Sequence, residues 1–155
     1  LADATGQGDR LSPAGKSKFR RAEWPDRAEV DRYFAKRGFF QRFDPDCLRD
    51  YIDSAVECDG DGCRLRFQVD VEVGIFRTTP KDLHTYPRLK VPGMLVNGSE
   101  TDPGFITCAR RHVRRHGMEW GLAEGGHMFP LEKPEQNSAL VLRQLKSLLA
   151  AGSSQ

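Results

Sequence analysis

A chain of 155 residues is long enough for one ordinary domain and short for two. With 30% charged and 38% apolar residues its composition is that of a soluble chain, neither disordered in bulk nor membrane-like, and no apolar run reaches the ~20 residues of a bilayer span. The formal net charge of +2 is too small to argue for nucleic acid.

Residues 1–22 open without an initiator Met, a basic n-region or an apolar h-region. They read as an interior stretch of something longer, a surface loop or linker rich in Gly, Asp, Ser, Lys and Arg. Pro25-Asp26, with Glu29 three residues after Asp26, predicts a helix that carries Val30, Tyr33 and Phe34 on one side and ends at Gly38. Asp44-Pro45, an N-cap and a first helical position, opens a second helix with Leu48, Tyr51, Ile52, Ala55 and Val56 on one stripe. Asp59-Gly60-Asp61-Gly62 breaks it. That tetrapeptide reads as a turn, because the further oxygen ligands and closing Glu of a calcium loop are wrongly spaced. Cys47, Cys58, Cys63 and Cys108 lack paired C-x-x-C spacing and are too sparse for a disulfide scaffold, so reduced thiols in a cytoplasmic protein are expected. In an oxidising compartment Cys58 and Cys63 would be placed to bridge the turn.

From Leu65 to Val73 apolar and polar residues alternate, which predicts a strand, with a helix beginning at Val73, Ile75 and Phe76 as the competing end. A short helix or turn is expected between Pro80 and Pro87. Val91 to Val96 is a continuous apolar run ending in Asn97-Gly98, as for a strand buried on both faces of a parallel sheet. A helix from Gly104 to His116, stopped by Gly117, then a strand from Met118 to Ala123 should follow. The last helix, Lys133 to Ala150, carries Val141, Leu142, Leu145, Leu148 and Leu149 on one stripe, and residues 151–155 form a tail. Arg110, Arg111, His112, Arg114, Arg115 and His116 are read as the solvated outer face of a crossover helix, and no nucleic-acid partner is expected. Asn97-Gly98-Ser99 has the pattern of a glycosylation sequon, without secretory context.

A strand–helix–strand crossover is right-handed in about 98% of cases and makes its strands parallel, so both strands of residues 91–127 should end on one edge of the sheet. Asp102 lies just past the first end and His127 just past the second. Neighbouring loops at the carboxyl ends of such strands are where catalytic groups gather. A carboxylate that accepts the Nδ1 proton of an imidazole fixes its tautomer and leaves Nε2 free to take a proton from a nucleophile. Asp102-Pro103 also reads as a helix N-cap, and Glu132 as an acid that complements a helix dipole.

The same residues, Val91-Pro92-Gly93-Met94-Leu95-Val96-Asn97-Gly98-Ser99-Glu100-Thr101-Asp102 and Gly125-Gly126-His127-Met128-Phe129-Pro130-Leu131-Glu132-Lys133-Pro134-Glu135, are similar to the end of α/β-hydrolases. The resemblance implies that Asp102 is the acid and His127 the base of a catalytic triad. Members often place the acid three residues after the turn Gly, which here is Thr101, while a subset has Ser or Thr there with Asp next; Asp102 is favoured over Glu100, and some members take the acid from an earlier strand. Residues 20–60, with Arg20-Arg21-Ala22-Glu23-Trp24-Pro25, resemble the helical cap that many members insert over the active site, so residues 23–80 are expected to be a cap-like helical region with a strand and residues 81–150 the C-terminal half of the core. Trp24, Phe39, Phe40 and Phe43 either line an acyl pocket or pack the cap helices on each other.

No G-x-S-x-G nucleophile elbow is present; Ser99 and Ser138 lack the flanking glycines. The fold class expected is therefore α/β, the C-terminal portion of an α/β-hydrolase with cap elements and parallel core strands. The function expected is hydrolysis of a small-molecule ester or acyl substrate, esterase- or lipase-like, without metal or organic cofactor. The nucleophile would come from an N-terminal half, or a partner chain, that also covers the sheet. The alternative is a noncatalytic fragment or interaction module of the same fold.

Overall fold

The computed structural model describes residues 13–78 and 85–152. The chain divides into two compact units, the first reaching to Gln41 and resuming at Arg49, the second holding Arg42–Leu48 and the chain after Lys81.

In the first unit, helix α1 (Pro13–Ser17) lies within the stretch expected to be loop. Strand β1 (Glu23–Trp24) and helix α2 (Arg27–Ala35) follow. Asp26 caps α2 by accepting a hydrogen bond from the Glu29 amide at 2.7 Å, which satisfies a donor that the first helical turn leaves unpaired. A short 3₁₀ turn (Phe40–Arg42) leads to helix α3 (Pro45–Ala55), whose first turn lies in the second unit. The Asp44 carboxylate receives the amides of Asp46 and Cys47, as the Asp-Pro pair predicts. Val56 does not extend α3 but starts strand β2 (Val56–Asp59), which turns through Gly60-Asp61 into β3 (Gly62–Leu65). The sheet order is β1-β3-β2, antiparallel throughout. Register sets Cys58 directly opposite Cys63, and the two are joined in a disulfide, a correction to the expectation of reduced thiols.

The strand expected over Leu65–Val73 is also corrected, since β3 stops at Leu65 and Val69–Arg77 form helix α4. Val69, Glu72, Val73 and Phe76 turn inward at a spacing of three and four, which keeps Val69 and Val73 of the alternating run inside and leaves Val71 exposed. Asp70 and Glu72 in the first turn favour the helix further. The core of this unit is Trp24, Val30, Phe34, Phe40, Ile52, Val56, Cys63 and Val73, with edge-to-face rings joining Phe34 to Tyr33, Phe40 and Tyr51. Of the segment expected between Pro80 and Pro87, residues 80–84 lie outside the described residues.

In the second unit, β4 (Met94–Gly98) and β5 (Glu119–Ala123) pair in parallel around helix α5 (Pro103–His116), as the crossover predicts. Gly117, at φ +68°, ends α5 in the left-handed conformation that glycine adopts most easily. A short helix α6 (Phe129–Glu132) and the long α7 (Pro134–Gly152) complete the unit. The stripe expected to bury α7 does not do so: Val141, Leu142, Leu145 and Leu149 are 50–70% exposed, while Asn137 is buried and Leu140, Gln144 and Leu148 are half-buried. The basic helix is not simply solvated either. Arg110 stacks over Trp120 at 4.2 Å and Arg115 bonds the Tyr86 carbonyl.

His116, on that helix, is 5% exposed and neither ring nitrogen has a hydrogen-bond partner. Burial, then the nearby His112 and Arg115, push its pKa below the ordinary histidine value. A depressed folded-state pKa means that the stability linked to this group is complete above the ordinary histidine pKa and is lost as pH falls through the folded value. Between about pH 7.5 and about pH 5 the urea midpoint of the wild-type chain should therefore drop, and that of His116→Leu should drop less. Equal drops would acquit His116.

Candidate active site

Parallel register runs from Met94↔Glu119 to Gly98↔Ala123, so the two strands finish level with each other. Beyond their ends the loops continue to pair: Ser99 N donates to Ala123 O at 2.8 Å and Glu100 N to Gly125 O at 2.9 Å. The approach is close enough to need glycine. A Cβ at Gly98 would stand 1.9 Å from the Gly126 carbonyl oxygen, and Gly125, at φ +124°, would bring one within 2.9 Å of Phe129.

Both expected groups stand on this rim. Asp102 is exposed and N-caps α5, its Oδ1 accepting from Gly104 N at 2.8 Å, so the N-cap reading of Asp102-Pro103 holds. His127 is exposed beside Phe105, with ring centroids 5.1 Å apart. The structure does not join them directly, since the hydrogen bonds among the described residues include none between Asp102 and His127. Thr101 is 5% exposed with its hydroxyl unpaired. Asn97, of the sequon pattern, is half-buried and accepts the Trp120 indole N–H at 3.0 Å.

Glu132 is the first-turn acid of α6, as expected, and its carboxylate also turns back to accept Gly126 N at 2.9 Å, the amide just before His127. Its side chain is 7% exposed and is bound by Arg42 at 2.9 Å, while Arg42 also reaches Glu100 at 2.8 Å. One guanidinium thus ties the loop after β4 to the segment after β5. Arg42 holds the Glu100 carboxyl below the usual glutamate range, so that pairing is retained above the ordinary glutamate pKa and lost as acid carries the pH through the lowered value. Sequence reading missed Arg42, whose partners lie 58 and 90 residues away, and Phe105.

Glu132→Ala should cost about 2–3 kcal/mol, because it strands the buried Gly126 amide and removes a charge-assisted bond, while Arg42, 45% exposed, can rehydrate. Glu132→Gln keeps one acceptor and should cost roughly half as much. Urea unfolding of the three chains measures this; coincident curves would mean that Glu132 does not hold the loop. Among the described residues no three His, Cys, Asp or Glu side chains stand together as a metal site, and no helix is long and apolar enough to cross a membrane.

No family model and no curated protein matches the chain. Among solved structures it is similar to E-2-(acetamidomethylene)succinate hydrolase, with TM-score 0.71 and 15% identity over 94% of this chain and 53% of that one. It is also similar to the thioesterase domain from the curacin biosynthetic pathway, with TM-score 0.56 and 16% identity over 92% of this chain and 51% of that one. The chain spans about half the length of these structures. At such identities the likeness speaks to fold: a mixed α/β fold related to α/β-hydrolase-like structures, with helices and a small parallel sheet.

Proposed function

We propose that the chain carries the acid–base part of an acyl-ester hydrolase. His127 is the general base, Asp102 orients it, and a serine from a strand-bearing part beyond these 155 residues is the nucleophile. The observation that carries this reading is the parallel register of β4 and β5, whose loops are packed glycine to backbone at one rim. A hydrolase and a thioesterase among the structural neighbours favour an acyl bond as the target.

In this scheme His127 takes the serine proton as the oxygen attacks the acyl carbon, then gives it to the departing alkoxide. Water activated by the same imidazole cleaves the acyl-enzyme and regenerates both groups. No metal or organic cofactor enters. The partner half is expected to add a strand to β4, which among the described residues is bonded only to β5, and to cover the apolar stripe of α7.

The second reading, a noncatalytic interaction module of the same fold, draws on that exposed stripe and on the missing Asp102–His127 bond. A p-nitrophenyl ester assay on the chain alone and joined to its serine-bearing half separates the two: turnover only in the joined protein supports the enzyme, and none, with the serine intact, overturns it. A cytoplasmic location would keep Cys58 and Cys63 reduced, so the state of that bond in the cell reads the compartment.

A further inference from the structure

The first unit holds a cavity of about 340 Å³ beside α1 and α2, and its lining combines aromatic rings with basic side chains. Phe34 and Phe40, 4% and 8% exposed, form an apolar floor with their rings 5.0 Å apart. Phe19 and Phe39 also line it, 83% and 55% exposed, with Phe39 packed edge-to-face on Phe40 at 5.0 Å and apolar surface of both rings still in water.

Four cations line the same space, and they divide cleanly. Arg20 is neutralised by Glu72 at 3.1 Å and Arg21 by Glu29 at 3.2 Å. Lys16 and Arg37 have no carboxylate among the described residues. Arg37 is held in place by the Tyr33 hydroxyl, to which it donates at 2.7 Å, and by stacking 4.6 Å above the Tyr33 ring. A fixed guanidinium presents a planar fork matched to a carboxylate, and little ordering remains to be done when one arrives.

We propose that this cavity is a binding site for a small carboxylate with an aryl or medium-length alkyl tail, the carboxylate met by Arg37 and Lys16 and the tail covered by Phe19 and Phe39. An apolar ligand alone would leave the two cations unused, and an inorganic anion would leave the rings in water. The inference is independent of the hydrolase reading and stands or falls without it.

Isothermal titration of the wild-type chain with 4-phenylbutyrate, 4-phenylbutanol and 4-phenylbutylamine tests the site. The carboxylate should bind saturably and weaken with added salt, while the alcohol and the amine bind at least roughly tenfold more weakly. Arg37→Met and Phe19→Ala should each weaken the carboxylate by about tenfold. Both side chains are exposed, and circular dichroism of each variant confirms that it remains folded. Equal binding of the alcohol, no saturable binding in the millimolar range, or unchanged affinity in both variants overturns the proposal.

Discussion

Gly98→Ala should destabilise the second unit by about 3 kcal/mol or more, the largest loss expected from adding a single methyl group to this chain. The added carbon would lie 1.9 Å from the Gly126 oxygen, 2.6 Å from the Gly125 oxygen and 2.8 Å from the Gly126 carbonyl carbon. All three are backbone atoms, so no side-chain rotation relieves the clash. The loops must part, and parting breaks the Ser99–Ala123 and Glu100–Gly125 backbone bonds, worth about 1 kcal/mol each. It also pulls Glu100 away from the guanidinium that holds Glu132. Gly74→Ala, in the middle of α4 with nothing within 4 Å of the new carbon, is the matching control and should stabilise by roughly 0.5–1 kcal/mol. Urea unfolding of both variants decides: if Gly98→Ala falls within about 1 kcal/mol of wild type, the two loops are not packed as described.

The same contact explains why this part of the molecule was the most legible in the sequence. Strand ends, helix caps and turn glycines act over a few residues, so Asp26, Asp44, Asp102 and Gly117 announce their roles locally and the structure uses each as a cap. The crossover then converts two local predictions, β4 and β5, into a spatial one, because handedness leaves a single arrangement. Where two local periods compete, as in residues 69–76, burial decides, and the sequence does not state which side of a segment will be covered. The α7 stripe is the reverse case, since its residues carry the expected period while Val141, Leu142, Leu145 and Leu149 stay 50–70% exposed. The clamp of Arg42 on Glu100 and Glu132 was illegible for another reason: its members come from distant positions, and an exposed arginine resembles any other charged surface residue until its neighbours are known.

In the proposed protein, with a serine-bearing half joined, His127→Ala should lower kcat by roughly 10²–10⁴ with little effect on stability, because the exposed imidazole has Phe105 as its ring contact and, among the described residues, no hydrogen bond. Asp102 requires a finer dissection, since its Oδ1 already caps α5. Capping and orienting are compatible, because a carboxylate has two oxygens and the Gly104 amide engages one. Asp102→Ser keeps a capping oxygen and removes the charge, so it should hold stability within about 0.5 kcal/mol and still lose kcat, whereas Asp102→Ala should lose kcat and about 1 kcal/mol of stability together. Serine at full activity with alanine destabilised would reduce Asp102 to a cap and move the acid to Glu100 or to a strand outside this chain. Undiminished turnover in His127→Ala would remove the imidazole from the chemistry, and the hydrolase reading with it.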